Sequence, residues 1–199
     1  KLAKSDGDGY TKLHYPYLEC PLKKPGFSNH EENLLSVIIT ALNEDSLTLN
    51  NTIKSIRDTS NNVEIIVVDD CSDNVVAVDD KEVKIIRNKE RVGCAPSRHT
   101  GALAADNKYL LFTDSHMVFA SGWYDALIRR TENEKENVAF CGVCLGLDSE
   151  HLTLDKHRGK YSGARLSLYE KNEDQVLEGK WITEKSGEEY DISCMMGAL

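Results

Sequence analysis

Short apolar runs alternate with amphipathic segments from residue 34 onward, whereas residues 1–33 are polar, contain several Pro and Gly, and show no sustained periodicity. Runs rich in β-branched residues are typical of strands, and almost wholly apolar runs are typical of parallel strands that are covered on both faces. The sequence therefore predicts an irregular N-terminal arm, followed by strands at 37–39, 65–68, 83–86, 109–112 and 138–143.

Two of the segments between these runs have the residue spacing of helices. Asp45 or Ser46 can cap the first helix, and Pro96 opens the second, which continues to about residue 105. In the first helix the apolar residues recur every three or four positions, at Leu49, Ile53 and Ile56. Alternating strands and helices with short connections predict an α/β fold, with a mostly parallel, doubly wound sheet flanked by helices.

The length of 199 residues suggests one domain of ordinary size. We expect an N-terminal arm over 1–33, an α/β core over 34–147, and the start of a second half over 148–199. The sequence begins at Lys1 and stops within an apolar stretch, 192–199. We therefore expect the chain to be a piece of a longer protein, with the C-terminal part of its fold missing.

The charge balance disfavours several classes of partner. Asp and Glu number 33 against 24 Lys and Arg, a net charge of −9, which repels a phosphate backbone and argues against general binding to nucleic acid or to anionic membranes. No stretch approaches the roughly 20 apolar residues of a membrane span, and the N-terminus lacks the apolar core of a signal peptide. The six cysteines are scattered, which is typical of reduced thiols, so we expect a soluble, cytoplasmic protein.

Polar residues follow three of the predicted strands at the point where each strand ends. The carboxyl ends of parallel strands meet at one edge of a sheet, which is where open α/β sheets bind ligands. Helix caps and strand-end turns explain any single pair, but three clusters on one edge favour a binding site. The clusters are Asn43 with Glu44, Asp69 with Asp70, and Asp114 with His116.

The triplet Asp114-Ser115-His116 is the most informative of these clusters. Residues two apart on an extended chain point the same way, so the Asp114 carboxylate and the His116 imidazole converge. A carboxylate and an imidazole together suit Mn²⁺, Mg²⁺ or Zn²⁺, with room left for ligands from a substrate. The alternative is a strand-end turn with two polar side chains facing water.

The combination of these motifs resembles a known family, the nucleotide-sugar glycosyltransferases of the GT-A fold, especially family 2 and the polypeptide N-acetylgalactosaminyltransferases. The third cluster is similar to the D-S-H motif of the latter enzymes, where many family 2 enzymes have D-x-D. The resemblance covers about residues 34–147, through the segments 36–44, 64–72, 91–93, 98–102 and 112–116.

The resemblance implies a UDP-sugar site on this edge. It implies that Ala41, Asn43 and Glu44 line the nucleoside pocket. Asp69 or Asp70 would hydrogen-bond uracil and ribose, since a carboxylate accepts from the uracil N3–H. The other implied nucleotide-binding residues are Gly93, Arg98, Asp114 and Ser115. For Arg98, a position on the surface of its helix stays open as the alternative.

The resemblance also implies a metal cofactor and a sugar subsite. Asp114 and His116 would hold Mn²⁺ or Mg²⁺, with diphosphate oxygens completing the coordination shell. Gly197 and Ala198 are candidates for contacts to the donor sugar. For Trp181 a place in the core is favoured, with stacking on a sugar ring as the alternative.

The expected activity is that of a metal-dependent glycosyltransferase, which transfers a sugar from a UDP-sugar to an unidentified hydroxyl acceptor. No catalytic base is identifiable, because the chain ends before the family's acidic motif, and retention or inversion of configuration stays open. The alternative is a noncatalytic nucleotide-sugar-binding module or an incomplete, inactive transferase fragment. A nucleotidyltransferase is disfavoured, because the residues after the first strand, 41–45, lack a Gly-rich basic loop.

Overall fold

A four-stranded parallel sheet forms the centre of the first of two compact units. The computed structural model describes residues 34–60, 63–134, 138–148, 153–155, 160–171 and 174–183. Within these residues the first unit ends at Val138 and the second begins at Ala139. The predicted core therefore spans the first unit and the start of the second, and the predicted arm lies outside the described residues.

Strands and helices alternate through the first unit as the pattern predicts. The sheet order is β3-β2-β1-β4, and every pair of neighbouring strands is parallel, so the predicted α/β fold is confirmed. The elements are β1 Leu35–Ala41, α1 Ser46–Thr59, β2 Val63–Asp69, β3 Lys84–Arg87, α2 Cys94–Ala104, β4 Tyr109–Asp114 and α3 Trp123–Glu132.

Helices cover both faces of this sheet. Side chains alternate between the faces along each strand, so Val37 and Ile39 pack with α1 and α3, whereas Ile38 packs with α2. The α2 contact is close, because a Cβ on Gly101 would collide with the Ile38 side chain and lie 3.1 Å from Val68 Cγ2. Glycine at this position lets the helix lie directly on the strands.

Both predicted helices form, with one difference at their starts. Asp45 is the N-cap of α1, where its side chain accepts a hydrogen bond of 3.0 Å from the Thr48 N–H. α2 begins at Cys94, two residues before Pro96, after Gly93 with φ of 89°. Proline is compatible with the first turn of a helix, where its missing N–H has no intrahelical partner, so Pro96 does not mark the first residue.

The second unit contains antiparallel strands. β5 Cys144–Leu145, β8 Lys160–Lys171 and β9 Asp174–Thr183 form one sheet, and β6 Leu147–Asp148 pairs with β7 Thr153–Leu154. The predicted strand at 138–143 is wrong, since these residues have no regular secondary structure. Val138 and Val143 are about half exposed. An apolar run forms a strand only where a partner strand completes its hydrogen bonds, so apolar composition alone does not produce a strand here.

Trp181 lies on β9 and is 58% exposed, so its predicted place in the core is wrong. Its ring contacts Tyr161 edge-on, with centroids 6.2 Å apart. The register of a strand decides on which face of the sheet each of its side chains lies. The composition of the strand does not reveal that register. Among the described residues, no helix combines the length and the apolar character that crossing a membrane requires.

Candidate functional site

The three polar clusters lie side by side at the carboxyl edge of the parallel sheet. The Asp70 N–H donates to the Ala41 carbonyl at 2.8 Å, which joins the end of β2 to the end of β1. On the other side of β1, Thr40 is the register partner of Asp114 on β4. The predicted convergence of these strand ends is therefore present in the structure.

Asp69 is buried and is bonded within the chain. One carboxylate oxygen accepts from the Arg87 guanidinium, and the other accepts from the Ser72 N–H at 2.9 Å. The residue is 1% exposed. Its two bonds connect the loop after β2 to the end of β3.

Asp70 is also buried, and it organises the loop before α2. Its carboxylate accepts from the backbone N–H groups of Val92 at 2.9 Å and Gly93 at 2.8 Å, and from the Asn88 side chain at 2.8 Å. Burial raises the pKa of Asp70, but these hydrogen bonds and one from Ser97 outweigh burial and hold the pKa below its ordinary value. The predicted contact of Asp69 or Asp70 with uracil stays a prediction.

Asn43 joins the loops that follow β1 and β2. Its backbone, with φ of 53°, donates to Ser72 Oγ at 2.8 Å, and its side chain exchanges two hydrogen bonds with Asp73 at 2.9 and 2.7 Å. Asparagine tolerates this left-handed conformation better than most residues. A cavity of about 310 Å³ lies against these loops and is lined by Asn43, Glu44, Ser46, Asp73, Asn74, Val75 and Val76.

Glu44, Ser115 and His116 form one hydrogen-bonded group. The Ser115 hydroxyl and the His116 ring nitrogen Nδ1 both contact Glu44 Oε2, the latter at 3.0 Å. Burial raises the pKa of Glu44, but the hydrogen bonds from Ser115 and His116 outweigh it, so the pKa lies below its ordinary value. The loop after β1 and the segment after β4 are thereby connected through a carboxylate.

Asp114, at the end of β4, contacts a side chain of α2. Its Oδ1 lies 3.3 Å from the guanidinium of Arg98, and the two side chains are 31% and 21% exposed. Arg98 Nε is buried and has no hydrogen-bond partner among the described residues. Arg98 therefore contacts the strand end that carries Asp114, and its predicted contact with a nucleotide stays a prediction.

Hydroxyl groups on α1 hold the segment that follows β4. Thr52, which is 1% exposed, donates to the Ser115 carbonyl at 2.8 Å and accepts from the Met117 N–H at 3.0 Å, so it binds the backbone on both sides of His116. Ser55 accepts from Phe119 N–H at 3.1 Å in the same way. Sequence reasoning missed both residues, although hydroxyls three positions apart on one helix face were a usable signal.

Comparison with known proteins adds the family. The model of the family described as "Glycosyl transferase family 2" matches residues 36–185. The chain belongs to glycosyl transferase family 2. The match begins at the second residue of β1 and includes all three polar clusters, so the predicted resemblance to family 2 is confirmed.

The curated relatives of this family 2 chain include N-acetylgalactosaminyltransferases. It is 36% identical over 134 residues to a "Probable N-acetylgalactosaminyltransferase 6" of Caenorhabditis elegans, covering 59% of this chain and 22% of the relative. It is 32% identical over 137 residues to "Polypeptide N-acetylgalactosaminyltransferase 6" of Mus musculus, covering 63% and 22%. The chain thus spans about a fifth of the length of these relatives.

Solved structures also resemble the family 2 chain. "S. aureus TarS 1-349 in complex with UDP" is 21% identical, with a TM-score of 0.43, and the likeness covers 50% of this chain and 32% of that protein.

The donor set at the sheet edge fits a divalent metal that receives further ligands from a substrate. The described residues contain no group of three or more His, Cys, Asp and Glu side chains that could hold a metal ion. Asp114 and His116 supply one carboxylate and one imidazole, and the described partner of Asp114 contacts only Oδ1. One carboxylate and one imidazole are donor types that suit Mn²⁺ or Mg²⁺, and the predicted metal at this pair stays a prediction.

The other predicted site residues differ in how accessible they are. Gly93 is exposed, and nothing lies within 4 Å of where its Cβ would be, so a ligand can approach its backbone closely. Ala41 is only 3% exposed and uses its carbonyl to hold Asp70. Gly197 and Ala198, the predicted sugar contacts, lie outside the described residues.

Proposed function

We propose that this family 2 domain binds a UDP-sugar with Mn²⁺ or Mg²⁺ and transfers the sugar to a hydroxyl acceptor. The observation that carries the proposal is the position of Asp114-Ser115-His116 at the carboxyl end of β4, beside the loop that bears Glu44. Ligands of open α/β sheets bind at this edge. The family match over 36–185 supplies the chemical class of the ligand.

The metal would be held by Asp114 and His116, and it would offset the charge of the departing nucleoside diphosphate. Arg98 would contribute a fixed positive charge next to it. Its guanidinium lies 3.3 Å from Asp114, and its buried Nε lacks a partner among the described residues, so it has hydrogen-bonding capacity to offer a diphosphate oxygen. Gly93 would let the nucleotide approach the backbone before α2.

The names of the relatives suggest which donor to test first. The C. elegans and Mus musculus relatives are named N-acetylgalactosaminyltransferases, so UDP-N-acetylgalactosamine is the first choice. The mouse name also specifies a polypeptide, which makes a peptide rich in Ser and Thr the first acceptor to try.

Calorimetry of UDP binding tests the proposal. We expect binding to wild type to require Mn²⁺ or Mg²⁺, and to weaken at least about tenfold in Asp114→Ala, equivalent to about 1.4 kcal/mol. The matched control is Asp106→Ala. Asp106 precedes the other end of β4, its side chain is 83% exposed, and it lies 3.6 Å from Lys84, so its removal should leave UDP affinity unchanged.

Full-strength binding without metal in wild type and in Asp114→Ala would contradict the proposal. A second measurement separates a transferase from a domain that only binds the donor. Release of UDP from UDP-N-acetylgalactosamine, with or without peptide, is expected from the former, whereas metal-dependent binding without any turnover identifies the latter.

A further inference from the structure

Glu44 and His116 are in contact through one carboxylate oxygen and one imidazole nitrogen. Glu44 Oε2 lies 3.0 Å from Nδ1, and the same oxygen accepts from the Ser115 hydroxyl. We propose that Glu44 is the positioning residue for His116: it holds the ring in the tautomer that presents Nε2 to the metal. This inference rests on the proposed function, because it requires His116 to be a metal ligand.

The donor and acceptor inventory supports this assignment. An ionised carboxylate has no proton to donate, so the proton of the Glu44–His116 hydrogen bond lies on Nδ1. A neutral imidazole with Nδ1–H has its lone pair on Nε2, and only a lone pair can bind a metal. Carboxylates that accept from the second nitrogen of a ligating histidine orient the ring and increase its basicity.

Both partners are held in place by other contacts. The Glu44 side chain is 21% exposed and is fixed by Ser115, whereas the His116 side chain is 61% exposed, so its ring is accessible to a ligand. The His116 backbone cannot move freely, because Thr52 bonds the carbonyl before it and the N–H after it. The ring therefore has a defined orientation before any metal arrives, which lowers the cost of ordering it upon binding.

A positioning role of Glu44 and a direct contact of Glu44 with the nucleoside predict different effects of substituting Glu44. A residue that acts on the metal through His116 should matter only when His116 is present. A residue that touches the nucleoside should also matter without metal and without His116.

The first readout is the His116 tautomer in the full, metal-free chain. Long-range ¹H–¹⁵N NMR at about pH 8, where ordinary imidazoles are neutral, assigns the ring by comparison with His116→Ala. We expect the Nδ1–H tautomer in wild type and a mixture in Glu44→Gln, since the Gln amide can both accept and donate. A wild-type Nε2–H tautomer overturns the inference.

The second readout is Mn²⁺ affinity in the presence of UDP. Glu44→Gln should lose about 10- to 100-fold, as substitutions behind metal ligands do, while the exposed Glu82→Gln should lose nothing. In a double-mutant cycle, adding Glu44→Gln to His116→Ala should cost nothing further. A loss of the same size in both backgrounds overturns the positioning role.

The two failures are distinguishable. If wild type binds UDP with Mn²⁺ and loses it in Asp114→Ala, but Glu44→Gln keeps full Mn²⁺ affinity, only the role of Glu44 is overturned. If wild type shows no metal-dependent UDP binding, the proposed function and the role of Glu44 are both overturned.

Discussion

Asp69 and Asp70 are neighbours at the end of β2, yet their carboxylates stabilise different parts of the molecule. Asp69 binds Arg87 and the loop after β2, whereas Asp70 binds the N–H groups of Val92 and Gly93 before α2. An acceptor-only side chain can pair with several N–H groups that would otherwise be buried without partners. The two residues thus give this edge of the sheet its shape.

Asp70→Asn tests this stabilising role. The Asn side chain places an NH₂ group among donors, so we expect the free energy of unfolding at about pH 7 to fall by about 1–3 kcal/mol. Urea unfolding measures it, with the exposed Asp79→Asn as control. An equal effect in both variants would contradict the role given to Asp70.

The contribution of Asp70 should also depend on pH. The pKa of Asp70 in the folded state lies below its ordinary value, and an unfolded aspartate has a pKa of about 3.9. The stabilisation is therefore fully present above that value and is lost as the pH falls through the lower, folded-state pKa. The difference between wild type and Asp70→Asn should shrink as the pH falls below about 4, and a constant difference would argue against it.

The helix α1 does more than cover the sheet, because its hydroxyl-bearing face holds the segment after β4. Thr52 binds the backbone on either side of His116, and Ser55 binds Phe119. The pattern of Leu49, Ile53 and Ile56 predicted the helix correctly. It did not reveal the hydroxyls between them, since periodicity reports which face is buried and not which polar groups that face meets.

Thr52→Val tests this link between helix and site. Valine has nearly the same shape but leaves the Ser115 carbonyl and the Met117 N–H unpaired, so we expect a loss of about 1–3 kcal/mol in unfolding free energy and weaker metal-dependent UDP binding. The control is Thr100→Val, because the partner of the Thr100 hydroxyl among the described residues is the Pro96 carbonyl within α2, at 3.1 Å. Its expected change is within about 0.5 kcal/mol.

For the molecule as a whole, the sequence predicted the sheet and the edge that carries the polar clusters, because long apolar runs and their order determine both. It did not predict which polar side chains at that edge bind each other. The Glu44–His116 bond joins residues 72 positions apart, and Asp114 at the end of β4 has its partner on the helix α2. Such pairings depend on register and loop conformation, which no local pattern contains.

The net charge gives a prediction for the molecule as a whole. With a net charge of −9, we expect no measurable binding to a labelled DNA duplex at micromolar chain concentration, even at about 50 mM salt, where electrostatic binding is strongest. Fluorescence anisotropy of the labelled duplex measures DNA binding. A UDP titration of the same sample serves as the control that the chain is folded and able to bind a ligand. Salt-sensitive micromolar binding to DNA would mean that a local basic surface outweighs the net charge.

The close contact between α2 and the sheet limits how the site can respond to a ligand. Because Gly101 lies directly against Ile38, with no space for a methyl group, α2 cannot slide along the strands without a steric collision. Arg98 lies three residues before Gly101 on the same helix. We therefore expect any exchange of Asp114 for an incoming anion to occur by torsion of the Arg98 side chain, without displacement of the helix.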